Sequence, residues 1–266
     1  MNYDDLVELS LEAGHRLLEN GAETYRVEES VSRILHAYGV ESAEVFAIPS
    51  CVIVTIRAKG SGLPNGEAEP APDSFTRMRR ILDRGTNLER VSRLNGICRR
   101  ICRERPDCIS ARKEILEIAE SKAYPFPVQV AAYALISFAF TLFFGGGMTD
   151  ALYAILCGAA LKLASAGMAR LQTNWFFANI MGSAIVTAMA FAAVQLGLCP
   201  HMDKIIIGTL MNLVPGVALT NSIRDIIGGD LLAGLTRLTE ALMIAAAIAL
   251  GTGLALSGLR LLLPLA

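Results

Sequence analysis

Residues 123–266 carry six Lys/Arg and five Asp/Glu, whereas residues 1–122 carry 18 and 20. A soluble domain needs about a quarter of its residues charged, so the second part of the chain has to be solvated by something other than water. A bilayer span takes about 20 mostly apolar residues. Five segments qualify, at about 126–144, 149–168, 176–196, 204–221 and 231–257. The pattern predicts an α-helical integral membrane protein with about five transmembrane helices and an N-terminal cytoplasmic α+β domain. The domain boundary falls between 1–122 and 123–266.

The first part reads as a small folded domain. Leu6, Leu9, Ala13 and Leu17 recur at helical spacing over 3–19, and Asn20-Gly21 is a stop. Thr24 starts a second helix with Val27, Val31, Ile34, Leu35 and Tyr38 on one face and Gly39 as its end signal. Val45–Ile48 and Cys51–Ile56 are β-rich around Pro49-Ser50, and a third strand is expected near 74–82. Residues 58–73 are Gly/Pro-rich and read as an exposed loop. Two further helices are expected near 86–104 and 108–122. The net charge of −1 gives no general attraction to nucleic acid. The basic run over 77–105 is flanked by acids and reads as a solvated helix face. The six cysteines lack metal-site spacing, so no metal and no cofactor is expected. Met1–Asn20 carries acids at Asp4, Asp5, Glu8 and Glu12 and no apolar core, which predicts no cleavable signal peptide.

Lys and Arg set the expected orientation. Arg112, Lys113 and Lys122 precede the first span, "GGGMTD" after it carries no basic residue, and Arg170 and Arg224 follow the second and fourth. This places the N-terminus in the cytoplasm of a bacterial inner membrane, and an odd span count puts the two ends on opposite sides. Gly158, Ala159, Gly167, Gly182, Ser183 and Ala184 are small enough to let helices approach closely.

The chemistry gathers near "LMNLVPGVALTNSIRDIIGGD", Leu210–Asp230. Pro215 and Gly216 interrupt the fourth span, and Asn212, Thr220 and Asn221 supply polar groups around the interruption. Ser222 to Asp225 fits a capping box, predicting a short helix that ends at Gly228-Gly229, with Asp230 capping the last span. Lys162 reads as a side chain snorkelling to the interface. Starting from Asp230, a 1.5 Å rise puts Arg237 roughly 10 Å and Glu240 roughly 15 Å into the last span. Ionisable groups at such depth mark functional sites. The two share a helix face, so the interruption reads as one wall of a site and the last span as the other.

"VPGVALTNSIRDIIGGDLLAGLTRLTEAL" resembles the signature of the threonine/serine exporter (ThrE) family. "LENGAETYRVEESVSRILHAYGV", "VFAIPSCVIVTI" and "LERVSRLNGICRRI" resemble that family's cytoplasmic domain. The length is similar to the split, YjjP-type subunit, whose partner is a small YjjB-type membrane protein. The resemblance implies a non-enzymatic exporter of threonine/serine-like amino acids or of dicarboxylates such as succinate, working in an oligomer. It points to Pro215, Gly216, Asn221, Arg224, Asp225, Asp230, Arg237 and Glu240, and in the first domain to Gly21, Arg26, Val27, Glu28, Gly39 and Pro49. Asn212, Pro215, Gly216, Asn221, Arg224 and Arg237 are the expected substrate-binding positions. Asp225, Asp230 and Glu240 are the expected proton-coupling ones. A Walker A pattern is missing from the sequence, so no ATP drive is expected. An intramembrane protease does not fit, because 227–230 read Ile-Gly-Gly-Asp and His201 falls in a loop. A membrane-anchored regulator that senses a ligand through "NGAETYRVEE" remains the alternative.

Overall fold

The computed structural model describes residues 3–57, 74–121 and 124–262; the loop expected at 58–73 lies outside them. The chain divides into two compact units. One comprises Met1–Lys122 and Val217–Leu238, the other Ala123–Gly216 and Thr239–Ala266. Val217–Leu238 therefore clusters with the first unit, whereas the charge pattern alone assigns all of 123–266 to the membrane part.

The first unit begins with α1 (Tyr3–Glu19) and α2 (Thr24–Ala37). The antiparallel strands β1 (Ser42–Ile48), β2 (Cys51–Arg57) and β3 (Ser74–Arg80) follow in the order β1-β2-β3. Then come α3 (Leu88–Glu104) and α4 (Cys108–Ala119). Register pairs Val45 with Val54 and Ile53 with Met78. Strand β2 alternates as a half-buried strand should, with Val52, Val54 and Ile56 turned into the core. Helix α1 packs on that face of the sheet and also touches α2, α3 and α4. Its apolar stripe of Leu6, Leu9, Ala13 and Leu17 is buried, and Val31, Ile34, Leu94, Ile101 and Ile115 complete the core. Glu12, buried on α1, is held by Arg16 at 2.8 Å and by Arg79 of β3. Each expected helix and strand forms within a few residues of its expected bounds, because the hydrophobic period changes cleanly from 3.6 to 2 and back.

The second unit holds α5 (Phe126–Phe143), α6 (Met148–Arg170), α7 (Trp175–Gln195) and the short α8 (Met202–Leu210). It also holds most of α10 (Leu231–Leu262). Helix α5 packs on α6 and α8, and α6 and α7 pack on each other and on α8. Ala154, Cys157, Leu161, Val186, Ala190, Ile205 and Ile248 form the interior. The small-residue stripe is used unevenly. A Cβ on Gly158 would collide with Tyr133 and Ser137 of α5, whereas Gly167 faces open space. Leu135, Phe143, Leu152, Leu156, Leu163, Phe177 and Leu254 face outward. An apolar exterior of this extent is solvated by lipid or by other helices. Four helices, α5, α6, α7 and α10, are long and apolar enough to cross a membrane. The protein is a multi-pass membrane protein.

The fifth expected span, 204–221, is not one helix. Helix α8 stops at Leu210 after nine residues, about 14 Å, under half of a roughly 30 Å hydrocarbon core. Turns occupy 211–213, and α9 (Gly216–Gly228) starts after Pro215. Pro215 lacks an N–H and its ring would clash with the Met211 carbonyl, so the helix ends there. The count of full spans among the described residues is four, and the odd-count argument for ends on opposite sides loses its basis.

Candidate functional site

In the first unit the turn between α1 and α2 meets the segment 221–237. After Glu19 the chain reverses: Gly21 N–H donates to Leu18 O and Ala22 N–H to Leu17 O, both at 3.0 Å. Gly21 adopts φ +86°, and a Cβ there would lie 2.9 Å from Gly85 O. A glycine is required on both counts. Gly85 and Asn87 donate their N–H groups to Glu19 O and Asn20 O and hold the turn from the other side. The next residues along, Ala22, Glu23 and Thr24, face α9 and α10.

Helix α9 brings Asn221, Arg224 and Asp225 to this turn. Gly229 at φ +98° ends it, Asp230 N–H donates back to Asp225 O, and the Asp230 carbonyl accepts the N–H of Gly234 at the start of α10. Arg237 lies two turns into α10. Its Nη2 donates to Ala22 O at 2.6 Å and to Thr24 Oγ1 at 3.4 Å. Its Nε lies 3.6 Å from Asp225 Oδ2. Thr24 Oγ1 donates to the same Oδ2 at 3.4 Å. Asn221 Nδ2 donates to Gly21 O at 3.3 Å. Glu23 pairs with Arg26 at 2.6 Å and also with Arg224.

This is a buried ionic cluster. Thr24 is fully buried, Asp225 is 1% exposed and Arg237 8%. Asp225 Oδ1 is buried and has no hydrogen-bond partner among the described residues. Burial pushes the Asp225 carboxyl above the usual carboxylate range; Arg237 and the Thr24 hydroxyl oppose the rise and Asp230 adds to it. Burial also raises Glu28, against an N–H donated by Ala47 at 2.8 Å, and the charges of Asp230 and Asp225 reinforce it. Three carboxylates thus share one electrostatic neighbourhood with Arg237.

The second unit has a smaller polar locus, where α8 breaks. Asn212 Nδ2 donates to Ser137 Oγ at 2.9 Å, to Thr209 O at 3.0 Å and to Tyr133 O at 3.4 Å. One amide therefore ties the interruption to α5. Asn212 Oδ1 and Thr209 Oγ1 are buried without a hydrogen-bond partner among the described residues. The Lys162 ammonium lies 5.1 Å from the centroid of the Tyr133 ring, so a cation–π contact adds to the snorkelling expected of it.

Residues 8–258 match the family model of the threonine/serine exporters, ThrE. The chain belongs to that family. A Mycobacterium tuberculosis protein named "Probable threonine/serine exporter" is 25% identical over 256 residues, covering 95% of this chain and 46% of the relative. The "Threonine/serine exporter" of Corynebacterium glutamicum is 24% identical over 254 residues, covering 94% of this chain and 50% of the relative. The chain spans about half the length of the curated relatives it matches. No solved structure matches it.

Within this exporter-family chain the expected site residues separate. Asn221, Arg224, Asp225, Asp230 and Arg237 converge in the first unit with Gly21 and Glu28. Asn212, Pro215, Gly216 and Glu240 belong to the second. Val27 is core, Gly39 ends α2 at φ +90°, and Pro49 lies in the β1–β2 turn. The expected capping box does not form. Ser222 lies inside α9 and its Oγ donates to Leu219 O at 2.8 Å, because Pro215 already starts that helix. The sequence places Arg237 on a membrane-cavity wall with Glu240; its guanidinium instead holds Ala22 O and Asp225. Sequence reasoning misses Thr24 and the Ala22 carbonyl. A Thr at a helix start reads as a cap, and nothing local shows that it faces Asp225, 201 positions later.

Proposed function

We propose that this chain is part of a secondary exporter of small amino acids, with Asp225 as its proton carrier and Arg237 as its carboxylate-binding group. Asp225, buried against Arg237 with one oxygen unpartnered among the described residues, carries the reading. Arg237 holds the substrate carboxylate, and an ionised Asp225 holds the ammonium beside it. A proton on Asp225 removes the countercharge of the ammonium and expels the substrate. Loss of the proton restores the site. Proton and substrate thereby exclude one another, which is the linkage that couples proton entry to substrate exit. Burial and the neighbouring Asp230 favour the protonated state, so the exchange moves toward neutral pH.

The charges around Arg237 favour a zwitterion over a dicarboxylate. Glu28 and Asp230 suit an ammonium group and repel a second carboxylate, so threonine or serine fits better than succinate. The first unit faces the cytoplasm of a bacterial inner membrane and loads the substrate. Asn212 and the break at Pro215-Gly216 line the passage within the second unit. Glu240 relays the proton there. A small YjjB-type partner supplies further membrane helices in an oligomer.

The test is efflux of preloaded radiolabelled threonine, serine and succinate, with and without that partner. Threonine and serine efflux should rise with a proton gradient and lose that dependence in Asp225→Asn. Succinate efflux alone would overturn the zwitterion assignment. No efflux of any of the three with the partner present would overturn the exporter reading.

A further inference from the structure

Helices α2 and α3 enclose a groove of about 600 Å³. Arg26 and Arg33 line it from α2, two turns apart, and Arg99 and Arg103 from α3, one turn apart. The volume lies in the range of small-molecule sites, roughly 300–1,000 Å³. Its balance of charge is unusual for a helix seam. Glu29 is the one acid lining it, and that carboxylate is taken by Arg33 at 2.6 Å. Arg103 pairs with its neighbour Glu104 at 2.8 Å, while Arg99 makes no ion pair among the described residues. The fold does not need these side chains: α2 and α3 are anchored beneath them by Val31, Ile34, Leu94 and Ile101. Four arginines lining one groove give it an excess of positive charge, which an anion bound between the helices would compensate.

The rim and floor narrow the choice of anion. Tyr25 stands at the rim, 41% exposed, with the Arg26 guanidinium 5.8 Å from its ring centroid. An exposed ring beside arginines can stack a planar base while the guanidinium forks hold phosphate oxygens. Cys98 on the floor is buried, and burial raises its thiol to about 12, so thiolate chemistry does not explain the groove. Arg26 also links the groove to the ionic cluster. Its partner Glu23 is shared with Arg224 of α9. A phosphate that draws Arg26 away releases Glu23 to Arg224.

We infer that the α2–α3 groove binds a nucleotide, with phosphates on Arg33, Arg99 and Arg103 and the base on Tyr25, and that binding competes with Glu23 for Arg26. The site is regulatory, acting on α9 through Glu23, and its test does not rest on the transport mechanism proposed above. Calorimetric titration of the 266-residue chain in detergent with ATP and with pyrophosphate tests it without any transport measurement. ATP should bind, and Arg99→Gln and Arg33→Gln should each weaken it at least tenfold, with Arg93→Gln, on α3 outside the groove, unchanged. Tyr25→Ala should weaken ATP but not pyrophosphate. Glu23→Gln should tighten ATP several-fold, a gain that misfolding cannot produce. Absence of ATP binding, or binding indifferent to Arg33 and Arg99, overturns the site. Equal affinity for pyrophosphate overturns the base contact, and unchanged affinity in Glu23→Gln overturns the link to α9.

Discussion

Arg237 Nη2 donates to the carbonyl of Ala22 at 2.6 Å, joining positions 215 residues apart. The same guanidinium neutralises Asp225, so removing it leaves a carboxylate buried without its countercharge.

Arg237→Met should therefore destabilise the protein by about 3–5 kcal/mol, the usual cost of breaking a buried ion pair from one side. Arg237→Met with Asp225→Leu should recover most of that loss, because no charge then remains buried. Thermal unfolding in detergent reads both. Additive losses in the double variant would show that the two residues do not act as a pair.

Glu28 offers a pH test with a definite sign. Its carboxyl titrates above the ordinary 4.5 in the folded protein. The folded state thus binds more protons than the unfolded one above that value. The contribution of Glu28 to stability then falls as pH rises from the unfolded pKa through the folded one. Glu28→Gln keeps an acceptor for Ala47 N–H and removes the titration. The variant should gain on the wild type as pH rises above the ordinary carboxylate range and lose that advantage below it. A stability difference independent of pH would reject burial of Glu28 as the cause.

Gly21→Ala should cost about 1–2 kcal/mol from the left-handed backbone alone. The contact with Gly85 O at 2.9 Å adds to it. Gly39 has a similar φ but open space around it, so Gly39→Ala should cost less. Equal losses at the two positions would show that the Gly85 contact is relieved without effort.

Asn212→Leu removes the amide that binds Ser137, Tyr133 and Thr209. A cost of about 1 kcal/mol is expected from the lost hydrogen bonds, since Thr209 O keeps the Asn212 N–H and Tyr133 O keeps the Ser137 hydroxyl. Ser137→Ala should cost less, since Tyr133 O keeps the Asn212 amide as a donor. A cycle between the two substitutions should give a coupling of at least about 0.5 kcal/mol. Zero coupling would place the two side chains out of contact in the membrane.

The architecture of the first unit was legible because its signals are local. Periodicity located α1 and α2, Asn20-Gly21 marked the turn between them, and Pro49-Ser50 marked the hairpin. The break at Pro215 was legible for the same reason, since a missing N–H is a property of one residue. Its effect on the span count was not. Whether a proline kinks a span or ends it depends on the groups packed around the freed backbone. The partners of Arg237 were not legible, because depth counted along one helix shows neither Ala22 O nor Asp225. In the structure the first two turns of α10 cluster with the N-terminal helices, and protein groups satisfy the charge. Long-range pairing of that kind leaves no period or spacing in the chain.

The first unit is not contiguous in the chain, and this orders its biogenesis. At about 5–20 residues per second, the interval between making Thr24 and making Asp225 is on the order of 10–40 s. During that interval α5, α6 and α7 emerge and must enter the bilayer. The α1–α2 turn waits through it with Ala22 O, Thr24 and Glu23 lacking their partners from α9 and α10. Completion of the first unit then follows synthesis of the early spans, because Asp225 and Arg237 reach the turn only after α5, α6 and α7 have been made.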